Sequence, residues 1–190
     1  MEELLKEIAA CRRCVSHLAL GPNPVVSVAK ESKVVIIGQA PGTVVHKSGI
    51  PWEDKSGDTL RDWMGIARER FYDPKEVALI PMGFCYPGKR KSGDLPPRKE
   101  CAPLWHPLLL SQLKQVQLIL LVGKYAQDYY LQEEVKKTLT ERVKKHEDYL
   151  PKFFVLPHPS PRNNIWQAKH PWFKTTVLSH LKTCIAKALA

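Results

Sequence analysis

Val34-Val35-Ile36-Ile37-Gly38-Gln39-Ala40-Pro41-Gly42 carries four consecutive apolar β-branched residues straight into a turn of glycine and proline. A short unbroken apolar run bounded by turn residues reads as a strand buried on both faces, the kind found in parallel sheets. Working outward, Val77–Met82, Leu118–Gly123 and Phe153–Pro157 have the same character as Val34–Gly38. Between these strands the pattern predicts helices over Leu60–Arg70, Ala102–Leu113 and Lys124–Leu131. A last helix is predicted over His170–Leu189, with Pro171 tolerated in its first turn. Strands alternating with helices predict an α/β fold, a three-layer αβα sandwich around a four-stranded, mostly parallel sheet. At 190 residues the chain is expected to form one domain, residues 1–190. Such sheets bind ligands at the carboxyl ends of their strands. That rule selects the loops after Gly38, Met82 and Pro157.

The composition narrows the class. No apolar run approaches the ~20 residues that span a bilayer, and the start, Met1–Glu7, has no basic and apolar leader pattern. A cytoplasmic protein is expected, and in that compartment five cysteines argue against a disulfide framework. No heptad or internal repeat suggests an oligomer, so a monomer is expected. The net charge of +10 favours a polyanionic partner; the plain alternative is a basic surface kept for solubility. The 16 prolines gather in loops, among them Pro157-His158-Pro159-Ser160-Pro161, and stiffen them.

The first loop, Gly38–Gly42, continues through Lys47-Ser48-Gly49-Ile50-Pro51-Trp52 to Ser56-Gly57-Asp58. Its glycines permit close approach of backbone to a ligand, although a plain tight turn reads the same way, and the dinucleotide spacing is missing. The last loop, His158-Pro159-Ser160-Pro161-Arg162-Asn163, sets a histidine at a strand end before a rigid tip bearing an arginine. Such a tip suits a phosphate backbone or a groove, with the arginine as phosphate contact or wedge; a lone histidine there is as readily structural. Cys11-x2-Cys14, Cys85 and Cys101 form a set of four thiols fit for a [4Fe–4S] cluster or a structural zinc, or simply for core packing. Cys184 lies apart and reads as a core residue.

Taken together, the two loops resemble motifs 1 and 2 of the uracil-DNA glycosylase superfamily, in the same order. Gly38–Gly42 with Gly49-x-Pro51-Trp52 and Gly57 looks like motif 1 of the iron–sulfur (family 4) enzymes. His158–Asn163 is similar to motif 2 of the single-strand-selective monofunctional uracil glycosylases, and the four cysteines match the iron–sulfur layout.

The resemblance implies a monofunctional DNA glycosylase that hydrolyses the N-glycosidic bond of uracil or another deaminated base. The alternatives are a hypoxanthine or xanthine glycosylase, or a damage sensor of the same fold without catalysis. A nucleotide-binding domain gives no reason for the last loop.

In the leading reading His158 hydrogen-bonds the base oxygen as charge develops, and Trp52 stacks on the flipped base. The Gln39 and Ala40 N–H groups take a base carbonyl within the Gly38–Pro41–Gly42 turn. Gln39 or Asp54 serves the attacking water, with His46 as another candidate, while Asp58 is a candidate helix cap. Lys47, Lys55, Ser56, Ser160, Pro161 and Arg162 face DNA. Cys11, Cys14, Cys85 and Cys101 hold the cluster, amid Arg12, Arg13, Lys89, Arg90, Lys91, Arg98 and Lys99. The chain departs from the family where Gln39, Val45 and His46 replace acids. It departs again where Ile80-Pro81-Met82-Gly83-Phe84 lacks the uracil-reading asparagine, which leaves that task to Asn163 or to backbone groups.

Overall fold

The computed structural model describes residues 1–132 and 137–190. Four strands form the sheet: β1 (Val34–Ile37), β2 (Val77–Leu79), β3 (Leu118–Val122) and β4 (Phe153–Leu156). They run in the order β2-β1-β3-β4, and every pairing is parallel, with Val34 opposite both Val77 and Leu118, and Ile119 opposite Phe153. Nine helices in the described residues surround them: α1 (Glu2–Ala9), α2 (Thr43–Ser48), α3 (Lys55–Met64), α4 (Arg68–Tyr72), α5 (Cys101–Gln112), α6 (Lys124–Tyr130), α7 (Leu139–Lys144), α8 (Asn164–Lys169) and α9 (Leu178–Ala188).

Side chains alternate across a strand, so each strand feeds two cores. Val34, Ile36, Leu120 and Phe154 pack on one face with Leu60 and Met64 of α3 and Leu181 and Ile185 of α9. Val35, Ile37, Leu121 and Val155 pack on the other with Leu4 and Ile8 of α1 and Trp105 and Leu109 of α5. Covering both faces is what makes the strand sequences continuously apolar, and the three-layer α/β architecture follows.

Three boundaries differ from the sequence expectation. The helix expected over Leu60–Arg70 is two: Gly65 adopts a left-handed conformation (φ +67) and closes α3, its N–H meeting the Arg61 and Asp62 carbonyls, before α4 starts. Strand β2 stops at Leu79, two residues before Pro81, which has no N–H to give the sheet. The C-terminal helix begins as a wide π-helical turn, Phe173–Val177, beyond Pro171, and only then becomes α9. The loop after β1 also contains the short helix α2.

Candidate active site

The carboxyl ends of β1 and β4 open onto a cavity of about 450 Å³, counting its open mouth. Its polar lining comes from Gln39, Asp54, Ser56 and His158, its turn from Gly38, Ala40, Pro41 and Gly42, and its apolar wall from Val25, Val45, Leu79 and Pro81. Trp52 lies across it. A Cβ at Gly38 would sit 2.5 Å from the Trp52 ring (Cζ2), and one at Gly57 would sit 1.7 Å from the Trp52 carbonyl oxygen. Both glycines are therefore required by close approach, not by turn conformation. Trp52 itself is left-handed (φ +58), a conformation costing about 1–2 kcal/mol for a residue with a Cβ. It is held there by Tyr72, whose hydroxyl donates to the Trp52 carbonyl at 3.1 Å and accepts from Arg61 at 3.1 Å.

The Trp52 and His158 rings are roughly parallel, 5.7 Å between centroids and 29° between planes. His158 follows β4 and rests on Gly123, whose Cβ, if present, would lie 3.5 Å from that of His158. The strand end beneath it is pinned by buried Gln127, whose amide donates to the Leu156 carbonyl at 2.9 Å. Burial lowers the His158 pKa, and the nearby Asp54 carboxylate opposes that only in part, so the ring is neutral at pH 7. Asp54 caps α3 by accepting from the Gly57 N–H at 2.9 Å while also lining the cavity. Asp58 is instead ion-paired with Arg61.

On the β2 side, three backbone polar groups near the cavity are engaged within the fold. The Pro81 carbonyl faces His106 Nε2 at 3.0 Å, the Met82 N–H donates to the Gly38 carbonyl at 2.9 Å, and the Gly83 N–H donates to the Gln39 carbonyl at 2.9 Å. Asn163 does not line the cavity; its side-chain amide donates to the His158 carbonyl. His46 also lies off the cavity, its ring 6.0 Å from Tyr86. In the last loop the Ser160 hydroxyl accepts from the Arg162 N–H at 3.2 Å, and Pro161 and Arg162 are exposed. Lys47 and Lys55 are exposed and do not line the cavity, whereas Ser56 does.

Behind the β2 end, Cys11, Cys14, Cys85 and Cys101 all line a second cavity of about 330 Å³, with Arg98 at its wall. Burial raises the Cys85 thiol pKa and pushes Cys101 up to about 11, with the neighbouring thiols adding to both. Arg98 reaches the Cys14 thiol and keeps a buried Nε without a partner. Zinc at Zn–S distances near ~2.3 Å would draw its four sulfurs to about 3.8 Å from one another. Among the described residues the trio of ligand atoms gathered within 4.8 Å is His146, Glu147 and His180, whereas the four thiols share a cavity without being drawn that close. The basic residues around these cysteines divide: Arg98 serves the thiol cavity, whereas Lys89, Arg90 and Lys91 project on a hairpin elsewhere.

Local sequence gave no signal for Val25, His106, Gln127 or Tyr72, because their roles depend on contacts between distant segments.

An all-parallel sheet with a histidine, a carboxylate and an aromatic ring gathered at its strand ends defines an α/β protein with an enzyme-like cleft. Residues 26–182 match the family model described as the Uracil DNA glycosylase superfamily. The chain belongs to that superfamily, and a DNA glycosylase activity in the general sense goes with it.

Proposed function

We propose that this protein is a monofunctional DNA glycosylase that excises uracil or another deaminated base. The observation that carries the reading is the pairing of neutral His158 with Trp52 and Asp54 in one cavity, within a chain of this superfamily. The target nucleotide leaves the stack at a cost of a few kcal/mol and enters the cavity. Its base lies against Trp52, where stacking is worth ~1–3 kcal/mol. As the N-glycosidic bond breaks, the bonding electron pair goes to the base. His158 donates a hydrogen bond to the base oxygen on which that charge gathers, a contact stronger in the transition state than in the ground state. The Gln39 and Ala40 N–H groups lie at the turn where a second carbonyl would be held. Water adds to the sugar carbon, with Asp54 orienting it, accepting its proton and countering the positive charge on the sugar; the Gln39 side chain assists in positioning.

On the β2 side the Pro81 carbonyl and the Met82 and Gly83 N–H groups are engaged within the fold, and no asparagine stands there to read uracil. Hypoxanthine and xanthine therefore belong in the assay beside uracil. Oligonucleotides bearing one of the three, single- and double-stranded, would be scored for abasic product. Cleavage of any one supports the reading and names the base. Lesion-specific, salt-sensitive binding without product supports a damage sensor instead.

The four thiols suit a [4Fe–4S] cluster: they share one cavity, and Arg98, whose buried Nε has no partner, lies at its wall as a donor to cluster or thiolate sulfur. When bound, such a cluster would supply a structural tie between the segment after α1 and the start of α5.

A further inference from the structure

A hairpin stands between the two site loops. Lys89 pairs antiparallel with Asp94, the Arg90 N–H donates to the Gly93 carbonyl at 2.9 Å, and the Leu95 N–H donates to the Gly88 carbonyl at 2.8 Å. Gly88 and Gly93 have φ of +105 and +91, values that favour glycine and allow the reversal.

The root is fixed to the first loop. Tyr86 donates to Asp94 Oδ1 at 3.4 Å, and Asp94 Oδ2 lies 3.8 Å from where a Gly42 Cβ would be. The flank is fixed to the last loop: a Cβ on Gly93 would lie 2.5 Å from a guanidinium nitrogen of Arg162. Gly93 thus leaves room for the Arg162 guanidinium to approach the hairpin backbone.

The tip carries Lys89, Arg90 and Lys91 in succession, all exposed, and none has an ion-pair partner among the described residues. Three adjacent cations repel one another, and the carboxylate opposite Lys89, Asp94, is turned to Tyr86 and makes no ion pair with them. Their counter-charge must come from a partner or from salt. The contacts of Asp94 with Gly42, which lines the cavity, and of Gly93 with Arg162 place that partner near the cavity mouth.

We propose that the hairpin spanning residues 87–95 is a second DNA-backbone contact, with Lys89, Arg90 and Lys91 on phosphates and Gly93 seating Arg162 so that tip and last loop grip the same DNA together. This rests on the DNA-glycosylase reading and extends it to residues outside the two loop motifs. The seat also explains why Arg162 is not simply a free surface cation: its side chain is oriented by the hairpin before DNA arrives, which reduces the ordering cost of binding.

The test is the dependence of DNA affinity on salt, measured by fluorescence anisotropy with lesion-free duplex and single strand. Each phosphate neutralised contributes a slope of about 0.9 for duplex and about 0.7 for single strand in log affinity against log salt. Lys89→Ala/Arg90→Ala/Lys91→Ala should lower the slope by about 2–3 for duplex, with little change in melting temperature because all three side chains are exposed. The charge-keeping variant Lys89→Arg/Lys91→Arg should retain the wild-type slope. Arg162→Ala should lower the duplex slope by about 0.9 on its own, and a slope that it leaves unchanged overturns the grip shared with the last loop. A steep wild-type slope left unchanged by the triple alanine variant overturns the hairpin proposal alone. A wild-type protein that shows no salt-dependent DNA binding overturns this proposal and the glycosylase reading together.

Discussion

His158 meets three constraints at once. Gly123 lies under it, Trp52 faces its ring, and Asp54 is close enough to oppose the loss of its proton. Because burial holds its pKa below the ordinary histidine value, excision should stay level as pH falls through 6.5 and decline only further down. A rate that instead halves around the ordinary imidazole pKa would remove the neutral-donor role. At Trp52 the ring touches both the cavity and the core. Trp52→Ala should therefore slow excision by about 10–100-fold through lost stacking, with a moderate fall in melting temperature. A large fall in stability with excision intact would make Trp52 purely structural. Gly38→Ala should reproduce the activity loss, since its added methyl meets the Trp52 ring. At this scale the sequence was informative wherever chemistry and position coincide, as for His158, Trp52 and Asp54. It was silent on why two glycines are needed, because only the folded approach of Trp52 reveals it. Asn163 was legible as a polar residue at the right place, yet its amide is engaged by the His158 carbonyl.

At the scale of elements, α5 joins the two cavities. It begins at Cys101 in the thiol cavity, and one turn on, His106 bridges Tyr130 (Nδ1 to hydroxyl, 2.7 Å) and the Pro81 carbonyl on the cavity wall (3.0 Å). In the neutral ring Nε2–H donates to the Pro81 carbonyl and Nδ1 accepts from the Tyr130 hydroxyl. Burial pushes the His106 pKa down to about 4 from an ordinary 6.5. The unfolded chain then takes up a proton that the folded chain refuses, so stability is full above pH 6.5 and is lost as pH falls toward 4. The loss is on the order of 3 kcal/mol. In His106→Leu, denaturant titrations should show a shallower acid dependence over that window; an unchanged dependence would mean that the ring is not buried neutral. The strands were legible because each is buried on both faces. The helix boundaries were less so: Gly65 ends α3 and Pro171 precedes a π-helical turn, and a local apolar pattern cannot tell a cap from an interior glycine. The thiol cavity unites residues from α1, the β2 end and α5, which the cysteine spacing hinted at and burial now places together. If the cluster reading holds, anaerobically purified protein should be brown and carry about four irons; colourless protein with one zinc or no metal would contradict it.

For the whole molecule, a charge of +10 is uninformative about fold but informative about partner. The sheet topology puts both site loops at one end of the strands, and the basic hairpin stands with them, so the cavity and these exposed cations share a face. The superfamily match over residues 26–182 covers the sheet, both site loops and the hairpin. The family was legible because two short motifs in fixed order are far more specific than either alone. The base was not, since Ile80-Pro81-Met82-Gly83-Phe84 carries no amide side chain to read it. The most direct measurement is release of abasic product from an oligonucleotide bearing a single deaminated base, comparing wild type with His158→Ala. The account predicts product from the wild type and a rate lower by ~10²–10³ in the variant, the loss expected on removing one transition-state donor. Equal rates for the two proteins, or no product from the wild type on any of the three lesions, would contradict it.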